Sequence, residues 1–408
     1  MPCAAAGTPT LSSNPSSYYL SANCLLTHYS LRTYCLLTRH DYPKLEPSKG
    51  KATQAEMEES EGSLHVAEAG EKRNAADFAL WKKSKGGEPS WPSPWGGGRP
   101  GWHIECSVMA SDLMGDGMDV HAGGSDLKFP HHDNELAQAE AYHGCQQWVN
   151  YFFHFGHLHI KGLKMSKSLK NFVTIRQALG THSARQIRLM FLLQPWDKPM
   201  NYSDQTIEEA RAREVTFKSY FAEVKDQLRK PWLQRPTTWD KRARDLFARL
   251  QVHQAAVHAC LCDNFNTPGA MAALLATCSD ANSYVKDNAA VDALLLKKGA
   301  TFVTRILRIF GVATQEDFGF PVGGEGGNGG YEEQVGPVVS ALVAFRDEVR
   351  AAAKGVPALM GACDVLRDAA LVELGVRVED RADGARWTLD EPAVLRAEQQ
   401  AKQAMTYL

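Results

Sequence analysis

Lys164, Met165, Ser166, Lys167 and Ser168 stand in a row, and lysines also occupy positions 161 and 170. No Asp or Glu lies between Glu140 and Asp197, whereas Arg176, Arg185 and Arg188 do. Ammonium groups on a glycine-containing loop can neutralise nucleotide phosphates as charge develops in a transition state. Hydroxyls and backbone amides add hydrogen bonds to the same oxygens. By itself, a short Lys-rich run is more often a solvated surface loop.

A second group suits a metal. Pro130-His131-His132-Asp133-Asn134-Glu135 reads as a helix start, with Pro130 leading and acids at 133 and 135 facing the positive end. His131 and Glu135 are four residues apart, so they project from one helical face. An imidazole nitrogen and a carboxylate oxygen so placed can each reach a zinc ion at about 2.0–2.2 Å. Cys106, in Trp102-His103-Ile104-Glu105-Cys106, is a thiolate candidate for the same ion. On spacing alone, a His–Glu pair of this kind is more often a surface hydrogen bond.

These residues need elements to hold them. From about Gly101 short apolar runs alternate with helical stretches, as in an α/β domain. From Thr206 the pattern is nearly all helix. Ile207, Ala210, Phe217, Phe221, Val224 and Leu228 keep one apolar stripe, and Leu246, Leu250, Val257 and Leu261 another. His253 interrupts the second stripe and reads as a packed or boundary residue. The Gly86–Pro100 window is rich in Gly, Pro and Trp and reads as a loop pinned by Trp91 and Trp95.

The expected architecture is a partial Rossmann-like catalytic domain over 41–205, a helical domain over 206–322 and a Gly-rich linker over 323–330. A C-terminal region over 331–408 follows. Its helices lie around Leu342–Ala353 and Pro357–Leu374, with a hairpin near Arg377–Leu389 turning at Asp383-Gly384. Residues 1–40 contain no acid, and Arg32 and Arg39 are their only full charges. That stretch resembles a transit peptide in lacking acids but is poor in Arg, so it reads as an unrelated, disordered start.

Composition narrows the function. A hydrophobic fraction of 44% over 408 residues supports real cores in two or three domains. No apolar run approaches the roughly eighteen residues of a membrane-spanning helix. The formal charge of −2 means that any nucleic acid must bind a local basic patch. Nine cysteines without paired spacing suggest thiols or a metal in a reducing compartment rather than a disulfide framework.

All five positions of Lys164–Ser168 match the KMSKS signature of class I aminoacyl-tRNA synthetases. Three blocks precede it in order: Gly101-Trp102-His103-Ile104-Glu105-Cys106-Ser107, His121-Ala122-Gly123-Gly124-Ser125-Asp126-Leu127 and Phe129 to Glu135. Weaker matches run from Tyr42-Pro43-Lys44-Leu45 through Asp77–Lys82 to Gln186–Phe191, Trp196–Tyr202 and Asp263–Pro268. Together they resemble the cysteine-specific family of these synthetases, in its eukaryotic type, from about Asp41 onward.

That resemblance implies ATP-dependent joining of cysteine to tRNA(Cys), with Mg2+ accompanying the ATP. It implies a zinc ion that binds the substrate thiolate, with Cys106, His131 and Glu135 as three protein ligands. Trp102 would lie in the amino-acid pocket, Lys167 on the ATP phosphates, and Gly124 and Asp126 in the nucleotide-facing stretch. The family's Cys-Gly-Pro-Thr-like segment, which bears a fourth ligand, and its HIGH-type motif have no match in this sequence. Weak zinc binding and impaired activation are therefore expected, and the alternative is a tRNA-binding or regulatory fragment without ligase activity. A relative that joins cysteine to a small amine is disfavoured by the long helical half. The eukaryotic-type motifs imply the cytoplasm, with an organelle as the alternative.

Overall fold

The computed structural model describes residues 44–45, 80–93, 96–160, 162–165, 171–230, 238–286, 291–314, 318–320, 331–353, 355–381 and 384–406. The expected disordered start, the Gly-rich linker and Asp383 of the predicted turn lie outside them. Two compact units form. One comprises 1–158 with 197–200, and the other 159–196 with 201–408.

In the first unit, β1 (Trp81–Lys83) pairs antiparallel with β2 (Gly98–Pro100). The segment between them is held differently from the reading above. Trp91 is 49% exposed and so pins nothing by burial. Its backbone instead exchanges two hydrogen bonds with Gly98, and Glu88 accepts from the Lys85 amide and the Arg99 guanidinium. Trp95 is outside the described residues.

Helix α1 (Trp102–Met114) leads to β3 (Met118–Gly124), α2 (Asp133–His143) and β4 (Val149–Phe155). β3 and β4 are parallel, with Met118 opposite Val149 and Gly123 opposite His154. Met118, Leu136, Ala139, Cys145, Trp148 and Val149 form the core beneath them. Parallel strands are normally covered on both faces. Here Val120 and its register partner Tyr151 are 51% and 68% exposed, so one face of the pair is open.

The helix expected from Pro130 begins later. A single wide turn (Lys128–His132) precedes α2, and Phe129 within it is extended, at φ −139° and ψ 133°. The residue before a proline is pushed out of the α region by the proline ring, which keeps Phe129 from joining the helix.

In the second unit, α3 (Ile175–Thr181) and α4 (Ala184–Leu192) each start on a capping box. α5 (Asp204–Arg229), α6 (Lys241–Cys262), α7 (Thr267–Lys286) and α8 (Ala293–Ile309) follow. The predicted stripe of α5 is buried at Ile207, Ala210, Phe217, Phe221 and Val224. His253 of α6 bonds Asp280 of α7 at 2.9 Å, as a boundary residue would. Beyond α9 (Tyr331–Ala352) and α10 (Pro357–Val365), β5 (Val376–Glu379) pairs antiparallel with β6 (Arg386–Leu389). Val339, Val343, Leu371, Val376, Val378 and Trp387 form the core of this region.

Candidate metal and substrate site

The site grows from the first turns of two helices and one strand end. Cys106 lies one turn into α1, where Trp102 is the first residue. His131 precedes α2, and Glu135 lies in its first turn. Lys44 and Leu45 brace that start: both amides donate to Asp133 Oδ1, and Lys44 Nζ reaches both Glu140 oxygens at 2.7 Å.

One donor atom each from Cys106, His131 and Glu135 lie within 4.8 Å of one another. His131 Nε2 stands 2.8 Å from Glu135 Oε1, yet that oxygen has no aligned hydrogen-bond donor. Buried polar atoms are nearly always satisfied, so an orphaned carboxylate oxygen facing an imidazole nitrogen and a thiol suits a cation. A thiol, an imidazole and a carboxylate are also a donor set that zinc accepts. Trp102 stacks on His131 with ring centroids 4.4 Å apart and is 41% exposed, so it roofs the trio on its solvent side.

A second layer orients these groups. His103 Nδ1 lies 2.7 Å from His131 Nδ1, which leaves His131 Nε2 for Glu135. His121 Nε2 is 2.5 Å from Glu135 Oε2. His121, His132 and Glu135 thus form a second donor group sharing the same carboxylate. His132 in turn bonds His154 of β4 at 3.0 Å. A Cβ on Gly123 would stand 2.7 Å from the His132 ring, so only glycine lets that imidazole lie against β3. The sequence reading named none of His121, His132 and His154 as site residues. The signal was period 2: His121 and Gly123 share a strand face, and His154 falls opposite Gly123 in register.

Electrostatics follow from burial. Burial raises the Glu135 carboxyl, but the imidazoles of His121 and His131 beside it outweigh that and hold the group at about 2. Burial drives His132 down to about 3 and His154 to about 4, so both imidazoles are neutral near pH 7. The Cys106 thiol is pushed up to about 11, first by burial and then by the Glu135 charge. A metal must therefore displace that proton. The apparent zinc affinity of the chain is expected to rise with pH between 6 and 8, by up to about tenfold per pH unit for one proton released. A chelator competition across that range checks it, and a flat profile would remove Cys106 from the ligand set.

Gly124 ends β3, and Ser125 and Asp126 follow it, at the carboxyl ends of the parallel pair, where ligands of open α/β sheets bind. The Ser125 amide donates to Phe155 O, and Asp126 Oδ1 is 3.1 Å from His157 Nε2. In the other unit, Ile160 pairs with Leu163 and His159 with Lys164 across a turn at Gly162, whose φ is +79°. Lys164 thus ends a strand and Met165 follows it. Ser166, Lys167 and Ser168 lie outside the described residues.

Comparison with known proteins adds the following. Residues 28–212 match the family model for the class I (C) tRNA synthetase catalytic domain, and 256–315 match the DALR domain. The cytoplasmic cysteine–tRNA ligase of Dictyostelium discoideum is 47% identical over 88% of this chain and 56% of its own length. That of Drosophila melanogaster is 46% identical over 90% of this chain and 51% of its own. The Homo sapiens enzyme is 47% identical over 84% and 47%. The chain therefore spans about half the length of the curated relatives it matches.

Proposed function

Because the chain belongs to the cysteine-specific class I aminoacyl-tRNA synthetases, we propose that it serves ATP-dependent ligation of cysteine to tRNA(Cys). The observation that most supports this is the convergence of Cys106, His131 and Glu135 beneath Trp102. These three residues would hold a zinc ion, which when bound supplies a bond to the substrate thiolate that a serine hydroxyl cannot match.

The chain's own residues do the rest. Trp102 packs over the amino-acid side chain, and His103 and His121 fix the ring of His131 and the carboxylate of Glu135. The substrate carboxylate attacks the α-phosphorus of ATP, and the bond to pyrophosphate breaks. Lys167, with the adjacent Lys164, Met165, Ser166 and Ser168, neutralises the charge on the departing phosphates. Gly124 and Asp126 face the nucleotide, which enters with Mg2+. A hydroxyl of the terminal adenosine of the tRNA then attacks the activated carbonyl, and AMP departs. The assigned domains are a catalytic part over 41–205 and a helical tRNA-binding part over 206–322. The cytoplasmic names of the relatives support a cytoplasmic site of action.

Pyrophosphate exchange by the zinc-loaded chain tests this. Exchange with cysteine is expected to exceed that with serine by more than about 100-fold, since a missing polar contact in a dedicated site costs at least that much. Tight tRNA binding with no cysteine-dependent exchange would replace the proposal with a binding role.

A further inference from the structure

α9 is apolar on both of its sides. Gly336, Val339, Val343 and Arg346 are buried, and the two valines share a core with Trp387. Between Gln334 and Glu348, the opposite side exposes Pro337, Val338, Ala341, Ala344 and Phe345. Val338 is 69% and Phe345 62% exposed. At 100° per residue these positions share a face of roughly 120°. A helix that is apolar all round is ordinarily buried all round. Among the described residues nothing covers this outer face, which lies beyond both matched family models.

The stripe is self-complementary. Counted from Ala341, it is occupied three, four and seven residues away in both directions. When a second copy is laid end for end on it with Ala341 on the two-fold axis, Val338 faces the partner's Ala344. Pro337 then faces the partner's Phe345, and the Gln334 amide faces the partner's Glu348 carboxylate. Each bulky side chain meets a smaller one, and alanine at the axis lets the backbones approach. A parallel arrangement would instead set Phe345 against Phe345 and Glu348 against Glu348. The antiparallel one separates the two carboxylates by about 21 Å along the axis, at 1.5 Å per residue. That exceeds the roughly 8 Å over which salt lets exposed charges interact. The stripe holds no Lys or Arg to receive an acidic partner, and only Glu348 to receive a basic one.

We propose that the outer face of α9 is a homodimer interface, in which α9 packs antiparallel on α9 of a second copy about a two-fold axis at Ala341. Such an interface is isologous, so each contact occurs twice. With Ala351 and Ala352, which are also exposed, the stripe is about 27 Å long on a helix about 10–12 Å across. Its footprint is on the order of 300 Å², against the roughly 800 Å² that each partner gives a standard interface. The dimer is therefore a weak one, with a dissociation constant of about 1–100 µM. The proposal rests on no part of the ligase reading.

Sedimentation velocity of the full chain over that concentration range tests it. The unsubstituted chain is expected to move from the 45.0 kDa of one chain toward twice that mass. Ala341→Glu and Ala341→Lys each place like charges across the axis, and each should weaken association by at least about 100-fold. An equimolar mixture of the two is expected to dimerise again, because opposite charges then meet. Phe345→Ser removes the largest contact without adding charge and should also leave the chain monomeric, which keeps the test open if a charged variant fails to fold. Val252→Glu, on an α6 position 64% exposed, is the control that should associate as the unsubstituted chain does. Circular dichroism checks folding throughout.

A chain that stays monomeric at the top of the range overturns the proposal and leaves the stripe to a different occupant. Charged variants that dimerise like the unsubstituted chain also overturn it. So does a mixture that stays monomeric, since Ala341 would then not face its own copy.

Discussion

Replacing Glu135 with alanine is expected to lower the chain's zinc affinity by more than about 100-fold and to remove, with it, the preference for cysteine over serine. The side chain is 2% exposed, and its two oxygens face His131 and His121. Even orienting groups behind a metal ligand are worth about 10–100-fold in affinity, so loss of the charged ligand itself should cost more than about 100-fold. Glu135→Gln keeps the shape and removes the charge, and it is expected to fail similarly. Metal content after dialysis and calorimetry with cysteine and serine read the effect without requiring turnover. His143, bonded to Ser111 outside both donor groups, supplies the control His143→Gln, which should keep the zinc affinity of the unsubstituted chain. Glu135→Ala chains that retain zinc at wild-type affinity would sink the assignment of this carboxylate.

The second large effect is on stability. Arg346, on α9, has a side chain with 0% exposure, and its guanidinium bonds Asp380 at 2.7 and 3.1 Å and Cys363 O of α10 at 3.1 Å. Arg350 and Arg367 also approach the same carboxylate. Asp380→Asn leaves the buried cation with Asp347, at 3.2 Å, as its remaining carboxylate, and leaves two neighbours facing a neutral amide. The expected loss is about 3 kcal/mol, at the low end of the cost of breaking a buried pair because Asp347 stays and Asp380 is partly exposed. Urea unfolding followed by Trp387 fluorescence reads it.

The sign with pH follows from the depressed carboxyl. The hydrogen bond from Arg346 is the main cause of holding Asp380 at about 2, against an ordinary 3.8. Its stabilisation is therefore complete above about pH 4 and is lost as pH falls toward 2. The difference between wild type and Asp380→Asn should be flat near neutrality and shrink only in acid. A gap that shrinks instead between pH 6 and 8 would mean that another group carries the effect.

Some of this was legible before any coordinates. The stripe of α5 is a local periodicity, and a helix of fixed pitch turns such spacing directly into a face. His131 and Glu135 share a face for the same reason, although the helix itself starts three residues later than Pro130 suggests. The β5–β6 hairpin announced itself by two short apolar alternations on either side of a turn. The motif blocks around Cys106, Gly124 and Lys167 fixed the family, because residue identity at set spacing survives in a linear string.

Tertiary structure decided the rest. Cys106 meets Glu135 only because two helices pack across a strand pair, and nothing at their separation of 29 residues foretells it. His121 grips the free side of Glu135, and Gly123 makes room for His132, through strand register rather than sequence proximity. The pinning role assigned to Trp91 failed because composition cannot say which way a side chain faces. The burial of Arg346 is likewise a property of surfaces brought together from distant segments. The sequence alone determined which chemical groups this protein owns and which local faces they share. Only packing decided which groups face each other, because proximity between distant segments and the desolvation that shifts their protonation exist only in the folded chain.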